Sequence, residues 1–491
     1  MSRISGSSTF EGVLIDWSLG QPVEPPRLPV DLLSKAQAAG ELARRQRRQA
    51  MDAAYEAQLI LRLAELTPDD DDPQPGSPGA RTPGWSAADD DEASGVSEFF
   101  AGELALVLNR GRGTARHLHH RAQAWRENLP ATYAALAAGD LDVARAGALA
   151  DVLGHTRPEL ARAVEAMVLP EAVDLSVARL RARALELLAE LDAAAAADQR
   201  REQAQRSADV FLQPGQDGMA TLGAELSADE AAEAYAVIDQ LARLAKADGD
   251  PRPIAAIRVE LFSLLLRRPG GPAQPGVAAQ LTITATLDSL AGTATTAGTV
   301  NGLAITAAHA RELLTRIGAL GLHAPDGGSL TFAITDADGR LLATTTVAEL
   351  LRVATTGCAQ HPGADCDCPV LGAPAATDRY QPTGRQQTFT KTRDRTCRMP
   401  NCGQRVGWAD LDHVVPHACG GPTACTNLCC LCRSHHRLKT FAPGWRFVME
   451  PDGTLHVTTP SGITRTTRPP GLRRPPPEPP PDQPDDDPPP F

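Results

Sequence analysis

Cysteine is missing from this 491-residue chain until Cys358, and all ten cysteines fall between Cys358 and Cys432. A secreted, disulfide-stapled protein is usually small and Cys-dense throughout, so that class is excluded. Cysteines confined to one corner and mixed with histidine read as metal ligands in a reducing compartment. Long apolar runs are also missing: none approaches the roughly 18–20 residues that span a bilayer, and no membrane partner is expected. The opening MSRISGSSTFEG lacks the apolar stretch of a secretory signal, so the expected location is cytoplasmic. Aromatic residues reach only 4%. Ala and Leu dominate the first half instead, which favours helix.

Positive charge is short overall, with a net charge of −12. The shortage is uneven. Between Arg379 and Phe447, eleven Lys/Arg stand against Asp394, Asp410 and Asp412, a local +8. Local charge decides electrostatic binding to phosphates, so nucleic acid stays among the expected partners.

The expected fold class is mainly α, with a multi-helical N-terminal region and a small α+β middle segment. Residues 1–66 form an N-terminal helical segment, in which Val30–Leu66 is one long helical pattern with leucines at both ends. It either packs on its own domain or forms a homodimer. Residues 67–96 are acidic and rich in Pro and Gly, which predicts a disordered linker. Residues 97–270 resume the helical period. Ser97 can cap the first helix, and the NRGRG turn leads to a second, as a plain helical hairpin or a helix-turn-helix. Ser227 and Glu230 form a capping box, and PIAAIRVELFSLLL reads as a buried helix. Residues 279–357 form the α+β segment, with a strand in Ala279–Leu290 and a hairpin turning at Asp336–Gly339. The Pro/Asp-rich tail, 468–491, is extended and solvated.

The remaining stretch, 358–467, carries the chemistry. Cys397 and Cys402 make a short knuckle, and Cys432 and His435 lie three residues apart at the start of RSHHRLKT. Positions i and i+3 share a helix face, so the four complete a Cys3His structural zinc site. Cys429 can replace His435, because Cys429 and Cys432 are also C-x-x-C. Cys358, His361, Cys366 and Cys368 offer a second zinc set or a loop of free thiols. If His435 faces the zinc, His436 points about 100° away and addresses another centre. Asp412 and His413 are its matching partners. Adjacent strand residues point to opposite faces, so both join one site only if the strand bends. Pro416 and Gly420–Gly421 permit that bend. Arg393, Arg395, Arg433, Arg437 and Lys439 frame the site as phosphate contacts or as a solvated basic face.

LDHVVPHACGGPTACTNLCCLCRSHHRLKT resembles an HNH endonuclease motif: Asp-His, then Asn, then a helix carrying His. RENLPATYAALAAGDLDVARAGALADVL and YQPTGRQQTFTKTRDRTCRMPNC resemble an actinobacterial family that joins a helical domain of unknown function to a C-terminal HNH nuclease. The resemblance covers about Ser97 to Trp445. It implies a zinc-stapled ββα-metal (HNH) domain over 358–467 and metal-dependent hydrolysis of DNA. His413 would be the general base, and Asp412 and His436 would hold one divalent cation such as Mg2+. Asn427 would fix the loop that orients His413. The alternative is a zinc-stabilised DNA-binding module that does not cleave.

Overall fold

A computed structural model of the chain describes residues 7–10, 13–16, 28–74, 76–80, 95–194, 209–215, 219–267, 283–300, 303–316, 331–336, 339–356, 361 and 372–472. A short hairpin, β1 (Ser7–Phe10) and β2 (Val13–Asp16), precedes a bundle of α1 (Lys35–Glu65), α2 (Phe100–Leu108), α3 (Arg112–Glu127), α4 (Pro130–Ala138), α5 (Val143–Leu153), α6 (Pro158–Val168) and α7 (Val177–Leu191). The long first helix starts at Lys35 because Ser34 and Gln37 close a capping box there. Its buried residues, Ala50, Ala54, Ala57, Ile60, Leu61 and Ala64, recur every three or four positions and form one stripe. That stripe packs on α3 and α4. Ala and Leu side chains make up most of the shared core, which extends to Leu187 and Leu188.

Residues 67–74 and 76–80, expected to be part of a disordered linker, form turns with specific anchors. Asp72 accepts hydrogen bonds from Ser97 Oγ at 2.7 Å and from Glu98 N at 2.6 Å. Ser97 does not cap α2 directly; its hydroxyl accepts from Phe99 N at 3.2 Å, one residue ahead of the helix. Left-handed Asn109 then turns the chain back into α3, which packs on α2 as a hairpin.

The next units are smaller. β3 (Val210–Pro214) pairs antiparallel with β4 (Ala220–Ala224), followed by α8 (Ala228–Ala247) and α9 (Ile254–Arg267). Ser227 and Glu230 do form the capping box at the start of α8. α9 departs from expectation. Ile257 is buried, but Val259, Leu265 and Leu266 are exposed. α9 pairs with α8, helped by the Arg258–Asp239 ion pair, and that leaves the outer arc of an apolar helix without cover among the described residues. An antiparallel sheet of β5 (Ile283–Thr284), β6 (Gly298–Val300) and β7 (Leu303–Ile305) carries α10 (Leu287–Ala291) and α11 (Ala307–Arg316). The hairpin β8 (Phe332–Thr335) and β9 (Leu341–Thr345) leads into α12 (Val347–Thr356).

From 372 onward the elements are short. α13 (Gly384–Asp394) precedes the knuckle, and β10 (Ala409–His413) pairs antiparallel with β11 (Leu428–Cys432). β11 runs straight into α14 (Arg433–Phe441), and a meander of β12 (Arg446–Met449), β13 (Leu455–Thr458) and β14 (Thr464–Thr467) closes the unit. A second core here combines Cys397, Met399, Val414, Cys429, Leu431, Leu438, Leu455 and Val457 with Phe99 and Leu106 of the α2 segment. Among the described residues, no helix is long and apolar enough to cross a membrane. Cys358, Cys366, Cys368, residues 75 and 81–94 of the acidic linker and the tail beyond 472 lie outside the described residues.

Candidate metal centre

Cys397, Cys402, Cys432 and His435 converge: one ligand atom from each lies within 4.8 Å of all the others. Cys432 is the N-cap of α14, so its thiol and the His435 ring share the first turn of one helix. His435 Nδ1 stands 3.2 Å from Cys432 Sγ and 3.5 Å from Cys397 Sγ. Tetrahedral zinc with its usual bond lengths puts sulfur and nitrogen roughly 3.6 Å apart, so the cluster can hold such an ion. Burial works against a charged His435, but Cys402 and Cys432 outweigh it and raise the imidazole to about 9. Contact with Cys397 and Cys402 pulls the Cys432 thiol well below its ordinary range. The same contacts push the Cys397 thiol well above its ordinary range, and it is the convergence of three thiols and an imidazole that matches a Cys3His site. Cys429 is not part of it. Its side chain is fully buried in the core, and burial pushes its thiol up to about 12.

The knuckle is braced by charge. Asp394, with no exposed surface, meets Arg393 at 2.7 Å and Arg398 at 3.0 Å, and accepts from Cys430 N at 2.8 Å. Arg393 donates onward to Cys425 O and Leu428 O, and Arg398 to Gly453 O and Thr467 O. This network ties α13, the knuckle, β11 and the meander together.

His436 faces away from the cluster, as the helical angle between neighbours requires. Its Nδ1 lies 2.9 Å from Asp410 Oδ2, and its Nε2 lies 3.6 Å from Asp412 Oδ1. Asp410 and Asp412 are two apart on β10 and so share a face of the strand. Lys439 Nζ sits 2.9 Å from Asp412 Oδ2 without a well-angled hydrogen bond to it, and donates to His413 O at 2.7 Å.

His413, next along the strand, is buried and points into a different group. Its Nε2 and Thr423 Oγ1 are hydrogen-bonded at 2.8 Å. The ring stacks on exposed Tyr380 with centroids 5.5 Å apart and meets His417 edge-on at 5.6 Å. Burial lowers its pKa; the Asp412 charge raises it, and His417 and Lys439 add to the lowering. Asn427 ties the intervening loop: it accepts from Val415 N at 2.9 Å and donates to Val415 O at 3.0 Å and Pro422 O at 2.9 Å. Gly421 must be glycine, because a Cβ there would stand 2.0 Å from Val415 O.

The basic residues divide. Arg433 is exposed over two thirds of its side chain. Arg393 and Arg437 are buried in ion pairs, Lys439 has only 7% of its side chain exposed, and Arg395 is half-buried. Their positive charge is spent inside the protein, which removes Arg393, Arg437 and Lys439 from direct reach of a phosphate backbone. Asp410, which the sequence offers only as one charge in a basic stretch, joins the site, as do Tyr380 and Thr423. The D-x-D alternation of Asp410 and Asp412 was the signal that could have exposed the first of them.

A family model described as a domain of unknown function, DUF222, matches residues 41–394, ending just ahead of Cys397. The uncharacterized protein Rv3776 of Mycobacterium tuberculosis strain H37Rv is 50% identical over 88 residues, 18% of this chain and 17% of the relative. The uncharacterized protein Rv2100 of the same organism is 44% identical over 122 residues, 25% of this chain and 20% of the relative. The chain therefore spans about a fifth of the length of the curated relatives it matches. No solved structure matches it.

Proposed function

This chain belongs to the DUF222 family, and we propose that its C-terminal part is a metal-dependent HNH endonuclease that hydrolyses DNA phosphodiester bonds. The observation that carries the reading is the pair of neighbouring histidines sent to two centres, His435 to the Cys cluster and His436 to the carboxylates of β10. A purely structural knot has no use for the second. The donor set fits a hard divalent cation such as Mg2+. Two ligands each about 2.1 Å from one ion lie roughly 3–4 Å apart, and His436 Nε2 and Asp412 Oδ1 are 3.6 Å apart. Asp410 on Nδ1 supplies the carboxylate partner that a metal-binding imidazole normally has on its other nitrogen.

Asp412 and His436 would hold that cation, whose charge, when bound, stabilises the leaving 3′ oxygen. His413 takes the proton of the attacking water. With Nε2 engaged by Thr423, Nδ1 is the nitrogen left to accept it. The base must be neutral to work. Its pKa is lowered by burial, so the rate should hold at neutral pH and fall as the solution is made acidic. Asn427 and Gly421 hold the loop that walls the His413 ring.

Supercoiled plasmid incubated with purified protein and Mg2+ should be nicked, and chelation should stop it. His413→Ala should slow nicking by about 10²–10⁴ while zinc content stays at one per chain. Equal nicking by wild type and His413→Ala would sink the assignment. DNA binding without any nicking would leave a zinc-stabilised binding module.

A further inference from the structure

The helix that carries both histidines is gripped by the N-terminal part of the chain. α14 spans nine residues, Arg433–Phe441, too few to stay helical in water unaided. With about 100° between successive residues, His435 faces the Cys cluster and His436 faces β10. Arg437 and Leu438 occupy the remaining arc. Arg437 donates to both carboxylate oxygens of Glu98, each at 2.8 Å, and to Gly79 O at 3.0 and 2.7 Å. Its guanidinium also lies 5.8 Å over the Phe99 ring. The Arg437 and Glu98 side chains are only 9% and 11% exposed. Leu438 seats against Gly102 of α2, where an added Cβ would come within 2.5 Å of Leu438 Cδ1. The far end of α2 is held as well: Arg465 donates to Leu106 O at 2.8 Å and Val107 O at 3.0 Å. α2 itself contributes Phe100 and Leu104 to the bundle core and Leu106 to the metal-bearing core.

We infer that Glu98 is a positioning residue: through its two-pronged contact with Arg437 it sets the rotation of α14, and so the setting of His435 and His436. The sensitivity is geometric. An imidazole nitrogen about 6 Å from the helix axis moves by roughly 1 Å for a 10° turn. Metal–ligand distances tolerate only about 0.2 Å. The helical domain thereby gains a role, as the seat against which the metal-bearing helix is aligned. The inference rests on the zinc reading of the Cys/His cluster and is independent of DNA cleavage.

The test uses the full chain with Co2+ in place of zinc, since the visible bands of cobalt report ligand geometry. Wild type, Glu98→Ala, Glu98→Asp and Arg437→Lys are compared. All should take up one cobalt, because the four ligands are untouched. The bands should shift in Glu98→Ala and Arg437→Lys, with Glu98→Asp restored towards wild type. Amide exchange across 433–441 should rise by roughly tenfold in the first two. If Glu98→Ala does not fold, Arg437→Lys decides, because it keeps the charge and loses the fork. Bands and exchange in Arg437→Lys that superpose on wild type overturn the inference. Wild type that takes up no cobalt overturns it together with the zinc reading. The expected shifts in the variants, together with a wild type that does not nick DNA, overturn the nuclease reading alone.

Discussion

Between α1 and α7 the buried side chains are overwhelmingly Ala, Leu, Val and Ile; from α13 onward they include Arg393, Asp394, Arg398, His413, His435 and Arg437. The bundle has seven helices' worth of apolar stripe to bury. The C-terminal unit has short strands and two short α-helices, of eleven and nine residues, among its described residues, and its core is partly made of cysteine. A small unit of this kind cannot draw enough stability from apolar burial alone. It substitutes directional bonds: a Cys3His cluster, a buried Asp394 bridging two arginines, and an arginine clamp onto the neighbouring domain. Such bonds fail abruptly when one partner is lost, whereas an apolar core loses stability gradually.

The largest difference between the two regions is expected on removal of the metal. Cys402→Ser, or prolonged chelation, should melt residues 372–472 and leave α1–α7 folded. The loss is on the order of 10 kcal/mol, the scale of structural zinc binding. Hydrogen exchange resolved along the chain would read it, and joint melting of both regions would show that they are one cooperative unit.

Asp394→Asn comes next. It leaves two buried guanidinium groups without their counter-charge and should cost about 3–5 kcal/mol of C-terminal stability in urea titration. A change below 1 kcal/mol would mean that the network is decoration.

The bundle has its own weak point, and it is acidic pH. Burial, then the charges of His120 and Arg126, holds His119 down to about 4. Unfolded, it titrates near 6.5, so between these values the unfolded state binds more protons. Stability therefore rises with pH across this window and is lost as pH falls from 6.5 towards 4, by about 3 kcal/mol in all. His119→Phe should remove most of that dependence; an unchanged pH profile would place the acid sensitivity elsewhere.

The smallest effect concerns surface charge. Arg433→Ala should lower the salt dependence of DNA affinity by less than about one phosphate contact. Arg437→Ala should instead loosen α14 while leaving the salt slope alone. The reverse outcome would return Arg437 to the phosphate-contact set.

Local rules carried far in this chain. The capping boxes at Ser34 and Ser227 and the amphipathic stripe of α1 need only neighbours three or four residues away. The spacing of Cys432 and His435, and the divergence of His435 from His436, follow from helical geometry alone. Four ligands on a knuckle and a helix start could therefore be proposed from spacing, and their ligand atoms do converge. The fate of each arginine could not. Arg433 and Arg437 are the same residue type on one face-to-face turn, yet one is exposed and the other is buried against a carboxylate 339 positions earlier. Nothing in a basic stretch says which of its charges will meet a distant Glu98 or a neighbouring Asp394. The exposed outer arc of α9 makes the same point for apolar residues, since burial depends on whether another surface arrives. Periodicity reports what a segment can bury. Only packing between segments far apart in the chain decides what it does bury, because that outcome is set by competition among many partners and not by any one segment's composition.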